Sequence, residues 1–274
     1  MSPSNRTKTT GNPLNFAIAD RDSKAVALVR EGLRENKTML AYQPVVMALA
    51  PEQPAFYEGL IRIMDNSGRI IPAKDFIDAV EMTELGRQID CAALALGFAA
   101  LQKVPDLRLS INMSARSISY APWKKILRDG VQSDPTVGER LILEVTERSA
   151  MAIPDAVRSF MSALQKHGVS FALDDFGAGY TSFRHLRDFS FDILKIDGSL
   201  IKNIHKSPDN QVLTGALISL ARHFEMYTVA EHVETEADVD VLVAAGIDCL
   251  QGYYFGVPTV RPLWLLDVEQ KLTA

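Results

Sequence analysis

Eight short apolar segments in this chain each end in polar or ionisable residues, and helical patterns separate most of them. The segments are AYQPVV, FYEGLIRI, LSINMS, LILEVTE, FALDDF, ILKID, TVAEHV and CLQGYYF. Their polar residues are Gln43, Glu58, Asn112, Glu144, Asp174 with Asp175, Lys195, Glu231 and Gln251. A buried carboxylate is costly unless it is paired or bound to a metal. A series of them at one end of successive strands therefore predicts a single polar site built by the whole fold.

The alternation of strand and helix patterns predicts mainly parallel strands joined by helical crossovers. Eight such units in about 250 residues is the size of a (β/α)8 barrel of the TIM type. A doubly wound open sheet is the structural alternative. The first two strands are joined by ALAPEQPA, which is too short for a crossover helix. We therefore expect one antiparallel strand near the start of the barrel.

The domain organisation is expected to be simple. Residues 1–20 are rich in Ser, Thr, Asn and Pro and predict a flexible N-terminal arm, followed by a single barrel domain over residues 21–274. Asp22 and Ser23 predict the cap of a helix that runs through AVALVREGLRENK. Thr235 and Asp238 form a capping box for a later helix, and Gly168 is placed to stop another.

Composition excludes several classes of function. The net charge is −5 without a block of like charges, so no DNA partner is expected. No apolar stretch is long enough to span a bilayer, and the polar N-terminus lacks the apolar core of a signal peptide, which predicts a cytoplasmic protein without membrane insertion. Cys91 and Cys249 lie in apolar runs and predict buried thiols rather than a disulfide.

Oxygen ligands dominate the predicted site. Alternation along the strands places the polar residues on consistent faces, and the five histidines are scattered without zinc spacing. Sites with oxygen ligands favour Mg²⁺, Mn²⁺ or Ca²⁺. Four carboxylates and an amide suit two adjacent ions, with Asp174 or Asp175 bridging them. Such pairs typically catalyse attack of water on a phosphodiester.

Two further residues suit the chemistry of that water. Lys195 could orient or deprotonate it or stabilise developing charge, and Glu231 could act as a base or a further ligand. Each residue taken alone has a simpler interpretation as a cap, a surface ion pair or a solvated side chain. Those interpretations weaken together, because all would have to hold at the same end of consecutive strands.

The ordered set of motifs resembles a known family, the EAL domain, a bacterial cyclic di-GMP phosphodiesterase. The resemblance covers roughly residues 37–262. It rests on AYQPVV, YEGLIR in place of the EALLR signature, INMS, LEVTE, DDFGAGYTSF, LKID, AEHVET and QGYYFGVP. It implies a barrel with one reversed strand, two Mg²⁺ or Mn²⁺ ions, and hydrolysis of one phosphodiester of cyclic di-GMP to linear pGpG. Ca²⁺ is expected to inhibit, because its larger and looser coordination spoils the in-line geometry.

The resemblance also implies roles for individual residues. The residues that match metal ligands are Glu58, Asn112, Glu144, Asp174 and Asp175. Lys195 and Glu231 match residues that act on the catalytic water, and Gln251 matches a further active-site residue that joins them and Glu58 in the catalytic set. Glu147 matches the anchor of the loop after the Asp pair. The residues that match substrate contacts are Gln43, Leu60, Arg62 and Asp197.

The sequence differs from the family motifs at three positions. Gly59 replaces the signature alanine, Ala178 replaces a common loop threonine, and His232 replaces the usual glycine after Glu231.

An active phosphodiesterase is favoured because every acidic ligand is present. The alternatives are an inactive cyclic di-GMP receptor and, less favoured, an enolase-like metal-dependent barrel enzyme. A homodimer formed near the loop after the Asp pair and a regulatory protein partner are also expected.

Overall fold

In the computed structural model, which describes residues 13–179 and 186–265, nine strands pair into one sheet. They are β1 (Thr38–Met47), β2 (Ala50–Met64), β3 (Ile70–Pro72), β4 (Leu109–Asn112), β5 (Leu141–Thr146), β6 (Ser170–Phe176), β7 (Ile193–Ile196), β8 (Tyr227–Ala230) and β9 (Cys249–Gln251). The parallel series runs from β2 through β4 to β9. Strand β1 pairs antiparallel with both β2 and β9 and closes the barrel. The predicted barrel with one reversed strand is confirmed, and closure excludes the open sheet.

Helices cover the outside of the barrel. They are α1 (Pro13–Arg34), α2 (Ile77–Val80), α3 (Glu84–Lys103), α4 (Ala121–Ser133), α5 (Pro135–Gly138), α6 (Glu147–Ala152), α7 (Pro154–Gln165), α8 (Gly198–Ile201), α9 (Pro208–His223) and α10 (Glu236–Ala245). Short 3-10 turns span Ala73–Asp75, Ala115–Ser119 and Ile204–Lys206. None of the helices in the described ranges has the length and hydropathy needed to cross a membrane.

The barrel interior is layered, and this layering positions the site. A small apolar cluster fills its middle, formed by Val45, Phe56, Ile142, Ala172, Ile193, Val229 and Cys249. In the parallel strands, the residue two positions further along faces the same way and is polar, as with Phe56 and Glu58. In the reversed strand β1 the order is inverted, so Gln43 precedes Val45. The apolar layer therefore forms a floor beneath a polar layer at the mouth.

The second, larger core lies between the strands and the helices. Amphipathic α7 contributes Val157 and Met161, and Gly168 follows it with a φ of +84°, as the predicted helix stop requires. The Thr235 side chain accepts a hydrogen bond from the Asp238 amide at the start of α10, which confirms the predicted cap. Both cysteines are free thiols; Cys249 is buried in the barrel interior, while Cys91 is only half-buried.

The first helix begins earlier than the sequence predicted. Helix α1 starts at Pro13, so Asp22 and Ser23 lie within it instead of capping it, and residues 13–20 of the predicted arm are helical. Proline is favoured at the first helical position, and the alanines that follow are strong helix formers. Residues 1–12 of the predicted arm lie outside the described residues.

Gly59 lies where an outer strand face meets helix α3. A Cβ at this position would come within 2.7 Å of Ile111 Cδ1 and 3.3 Å of Leu40 Cδ1. Ile111 also lies close to Gly97 of α3, where a Cβ would be 3.0 Å from the same Cδ1 atom. The space that the signature alanine would need is therefore filled by the Ile111 side chain. The glycine therefore fits the space that Ile111 leaves, and a side chain there would face away from Glu58, because neighbouring strand residues face opposite sides.

Replacing Gly59 by alanine should destabilise the fold because the added methyl overpacks the contact with Ile111. We expect Gly59→Ala to lower the free energy of unfolding by about 1–3 kcal/mol in urea denaturation. Adding Ile111→Val removes the Cδ1 atom and should recover most of that loss. Gly215→Ala in α9, where a Cβ meets no atom within 4 Å, is the control and should not destabilise. Equal effects at the two glycines would contradict this packing.

Candidate metal centre and active site

The ammonium of Lys195 lies at the centre of the polar layer. Its Nζ is 2.7 Å from Glu144 Oε2, 2.8 Å from Glu231 Oε1, 3.0 Å from Asp174 Oδ1 and 3.4 Å from Glu58 Oε2. These groups come from five different strands or strand ends, which only a closed barrel brings to one point. Lys195 is fully buried and none of the four carboxylates is more than 9% exposed.

Amide side chains extend this cluster towards the barrel seam. Asn112 Nδ2 donates to Glu58 Oε1 at 2.7 Å, and Gln251 Nε2 donates to Glu58 Oε2 at 2.6 Å. Gln251 Nε2 also lies 3.3 Å from Gln43 Oε1, and Gln43 Nε2 donates to the carbonyl of Gly256 at 3.1 Å. The structure thus gathers all the strand-end residues that the sequence selected at one mouth.

A left-handed kink brings the second aspartate of the pair into the same group. Asp175 has a φ of +56°, a conformation rare outside glycine. Neighbouring residues on a strand normally face opposite sides, but here Asp174, Asp175 and Glu231 each offer an oxygen within 4.8 Å of the others. These three carboxylates form the most compact potential metal site in the described residues.

Burial and mutual repulsion perturb the acids. Burial, followed by the charge of Glu58, raises the pKa of Glu144 to about 8. Burial likewise raises the pKa of Glu231 well above its usual range, and partial burial with the Asp174 charge raises that of Asp175 to about 6. Burial would also raise the pKa of Glu58, but Lys195 and the two amides outweigh it and lower the pKa. The four surrounding carboxylates overcome burial and raise the pKa of Lys195.

The donor set fits divalent cations. When Glu58, Glu144, Asp174, Asp175 and Glu231 are all ionised, five carboxylates against one ammonium leave four negative charges, which equals the charge of two divalent ions. Glu144 Oε1 is also buried without a hydrogen-bond partner in the described structure. A buried acceptor of this kind is costly unless a cation or donor binds it. All the donors are oxygens, which suits Mg²⁺ or Mn²⁺.

The residues expected to contact substrate lie around this centre. Arg62 is half-buried on β2; burial lowers its pKa, while the charge of Glu58 acts in the opposite direction. Leu60 is half-buried on the same strand. Asp197 follows β7, caps α8 by accepting from the Ser199 amide at 2.9 Å, and contributes to the raised pKa of Asp175. Gln43 is different, because its amide atoms are engaged within the protein.

The loop after the Asp pair, which Glu147 is predicted to anchor, lies partly outside the described residues. Glu147 is half-buried and opens α6 immediately after its cap Thr146. Gly177 has a φ of +97° and Ala178 is exposed, so the missing hydroxyl at Ala178 leaves no buried gap. Residues 180–185 of the loop lie outside the described structure, and the anchoring role of Glu147 stays a prediction.

His232 has a φ of +55°, the same left-handed backbone as Asp175. Its ring packs against Gly198, where a Cβ would lie 2.4 Å from the His232 Nδ1 atom. The glycine at position 198 thus makes room for the histidine. Because Glu231 still reaches Lys195 at 2.8 Å, the bulk of His232 does not displace it from the cluster.

Asp90 is a buried acid near the site that the sequence reasoning missed. It lies on α3, and its Oδ2 accepts from the Ser114 amide at 3.0 Å and from Ser117 Oγ at 2.5 Å. Burial raises its pKa to about 7. It thereby holds the turn that follows Asn112. Its position in the apolar stripe of α3, between Gly86 and Ala93, is the sequence pattern that could have identified it as a buried acid.

The fold and the site are those of a barrel protein with a cluster of carboxylates at the C-terminal ends of its strands, suited to binding metal ions. The sequence profile described as "EAL domain" matches residues 27–258. The chain belongs to the EAL domain family. The resemblance drawn from the motifs is therefore confirmed.

Individual relatives agree with this assignment. The chain is 31% identical over 248 residues to "Cyclic di-GMP phosphodiesterase PdeB" of Shewanella oneidensis, covering 89% of this chain and 29% of that protein. It is 29% identical over 262 residues to "Signaling protein YkoW" of Bacillus subtilis, covering 92% of this chain and 32% of that protein. The chain thus spans about a third of the length of these relatives.

Solved structures resemble the fold. A structure described as "PaMucR Phosphodiesterase, c-di-GMP complex" superposes with a TM-score of 0.76 at 29% identity, covering 89% of this chain and 99% of that one. The Klebsiella pneumoniae BlrP1 structure, described as a manganese/cy-diGMP complex, superposes with a TM-score of 0.71 at 27% identity. It covers 81% of this chain and 56% of the BlrP1 chain.

Removing Lys195 should destabilise the fold, because it leaves buried carboxylates without their counter-charge. We expect Lys195→Met to lower the free energy of unfolding by about 3 kcal/mol, measured by urea denaturation at pH 7 with chelator present. Lys202→Met is the matched control, since Lys202 forms an exposed pair with Glu234 and should change stability by less than about 1 kcal/mol. Similar losses in the two variants would refute the central role of Lys195.

Proposed function

We propose that this chain is a metal-dependent phosphodiesterase that hydrolyses one phosphodiester bond of cyclic di-GMP to linear pGpG. The observation that carries the proposal is the convergence of four carboxylates on Lys195 at the mouth of the barrel, with Asp175 grouped beside two of them. The names of the relatives and the ligands in the titles of the solved structures support the same substrate. The intact set of acids favours catalysis over the receptor function.

The acids would hold two Mg²⁺ or Mn²⁺ ions, and the residues assigned to them are Glu58, Asn112, Glu144, Asp174 and Asp175. When bound, the ions would supply a nucleophilic water and charge neutralisation at the phosphate. Lys195 lies within hydrogen-bond distance of Glu144 and Glu231, so its ammonium can orient the attacking water against them. Glu231 is suited to accept the proton of that water when it is ionised, because its Oε1 lies 2.8 Å from the Lys195 ammonium.

The surrounding residues would bind the dinucleotide. The half-buried guanidinium of Arg62 is suited to a phosphate oxygen, and Asp197 presents a carboxylate that can accept from guanine N–H groups. Leu60 would contact the sugar or base face. These assignments would place the scissile phosphate over the carboxylate cluster.

Product analysis tests the proposal directly. The purified chain with Mn²⁺ or Mg²⁺ should convert cyclic di-GMP to pGpG, detected by chromatography, and chelator should stop the reaction. Binding without product would support the inactive receptor instead. The absence of both binding and turnover would reject the substrate assignment.

Substituting Glu58 should separate catalysis from folding. We expect Glu58→Ala to abolish pGpG formation, because it removes a proposed metal ligand and the acceptor for two amides. The thermal unfolding midpoint should change little, since the loss also relieves repulsion among the acids. Unchanged turnover would refute the metal role of Glu58.

Calcium should inhibit the reaction. Ca²⁺ takes six to eight oxygen ligands at longer distances than Mg²⁺ or Mn²⁺, so it should occupy the acids without supporting in-line attack. Titrating Ca²⁺ into an assay at fixed Mn²⁺ should lower the rate and leave dinucleotide binding intact. Turnover with Ca²⁺ alone would contradict this expectation.

We also propose an oligomeric state for the chain. A homodimer near the loop after the Asp pair is supported by two exposed apolar residues of α9, Val212 at 72% and Leu213 at 51%. The same helix approaches that loop, because a Cβ on Gly177 would lie 3.7 Å from Leu217. Light scattering after gel filtration tests the dimer. A cytoplasmic location and a regulatory protein partner stay predictions.

A further inference from the structure

A chain of amide hydrogen bonds crosses the seam where the barrel closes. It runs from the Gly256 carbonyl to Gln43, from Gln43 to Gln251, and from Gln251 to Glu58. Strand β1 lies between β9 and β2, so Gln43 sits between the strands that carry the other two side chains. In the register, Gln43 is directly opposite Glu58. Both glutamines are buried, with exposed fractions of 8% and 4%.

The chemistry of the partners fixes the direction of this chain. A backbone carbonyl can only accept, so the amide nitrogen of Gln43 must face Gly256 and its oxygen must face Gln251. Gln251 therefore turns its nitrogen towards Gln43, and the same nitrogen donates to the Glu58 carboxylate. The two acceptors demand the same amide orientation of Gln251.

That orientation leaves one atom available for the site. Gln251 Oε1 is buried and has no hydrogen-bond partner in the described structure. An unpartnered buried acceptor is costly, and here it lies beside the metal-ready acids. It can accept from a hydrogen-bond donor in the mouth, such as a water held there. Gln43, in contrast, uses its amide nitrogen on the Gly256 carbonyl and its amide oxygen on Gln251, so both atoms already have partners within the protein.

We propose that Gln43 is a positioning residue, which holds the Gln251 amide so that its nitrogen supports Glu58 and its oxygen faces the reacting water. The inference rests on the proposed function of the site. It replaces the role of substrate contact that the family resemblance implied for Gln43. It also connects the segment at Gly256, on the rim of the mouth, to a proposed metal ligand.

A double-mutant cycle tests the proposal. Gln43→Met, Gln251→Met and the double variant remove the amides while retaining chain length. Gln165→Met is the matched control, because Gln165 also donates to a backbone carbonyl, that of Ser190, but lies at the end of α7, beside the start of β7 and opposite the mouth. Two measurements are made: steady-state kinetics with cyclic di-GMP, and Mn²⁺ affinity by calorimetry without substrate. Gln43→Leu replaces Gln43→Met if the latter fails to fold.

We expect Gln43→Met to lower kcat by roughly tenfold with KM nearly unchanged, as the loss of one buried hydrogen-bonded link predicts. Mn²⁺ affinity should fall several-fold, and the double variant should be no worse than Gln251→Met alone, because Gln43 acts through Gln251. The Gln165 control should match the wild type in both measurements.

Other outcomes would overturn the proposal. A rise in KM with unchanged kcat and unchanged Mn²⁺ affinity would restore Gln43 as a substrate contact. Additive losses in the double variant would show that Gln43 does not act through Gln251. If the wild type has no turnover, the proposed function fails, yet the coupling in Mn²⁺ affinity still decides the role of Gln43.

Discussion

The structure depends on one electrostatic constraint, the burial of an excess of carboxylates around a single lysine. Lys195 lies within 3.4 Å of oxygens from four acids, and burial raises the pKa of Glu144 to about 8. Such a cluster opposes folding unless cations or protons balance it. A protein that only needed stability would be better served by apolar residues at these positions. The cluster therefore points to a function, and divalent cations are the partners that its charge and oxygen donors suit.

The barrel makes this constraint tolerable by holding the acids on a rigid apolar floor. Each inward-facing polar residue of the parallel strands stands two positions after an inward residue of the layer beneath it, as Glu144 follows Ile142. The reversed strand β1 completes the ring and supplies Gln43 in the same layer. Because the barrel is closed, the acids cannot move apart. Their mutual repulsion therefore favours the binding of cations.

Left-handed backbone recurs at two strand ends of the site. Asp175 and His232 have φ values of +56° and +55°, and each follows a carboxylate residue that faces Lys195. Strained backbone of this kind costs on the order of 1–3 kcal/mol and is concentrated at functional sites. At Asp175 it places two consecutive carboxylates in one group. At His232 it directs the ring onto Gly198, which leaves Glu231 in place.

The barrel, its reversed strand and the identity of the polar residues at its mouth could all be predicted from the sequence, because strand alternation and loop length are local properties. The motifs determined the family. Three features could be seen only in the folded chain: Lys195 pairs with four acids, Ile111 fills the space beside Gly59, and Gln43 faces Gln251 instead of the solvent. Asp90 and the true start of α1 were likewise beyond the sequence. These features depend on which strands and helices become neighbours, and in a closed barrel the first and last strands meet only when the whole chain has folded.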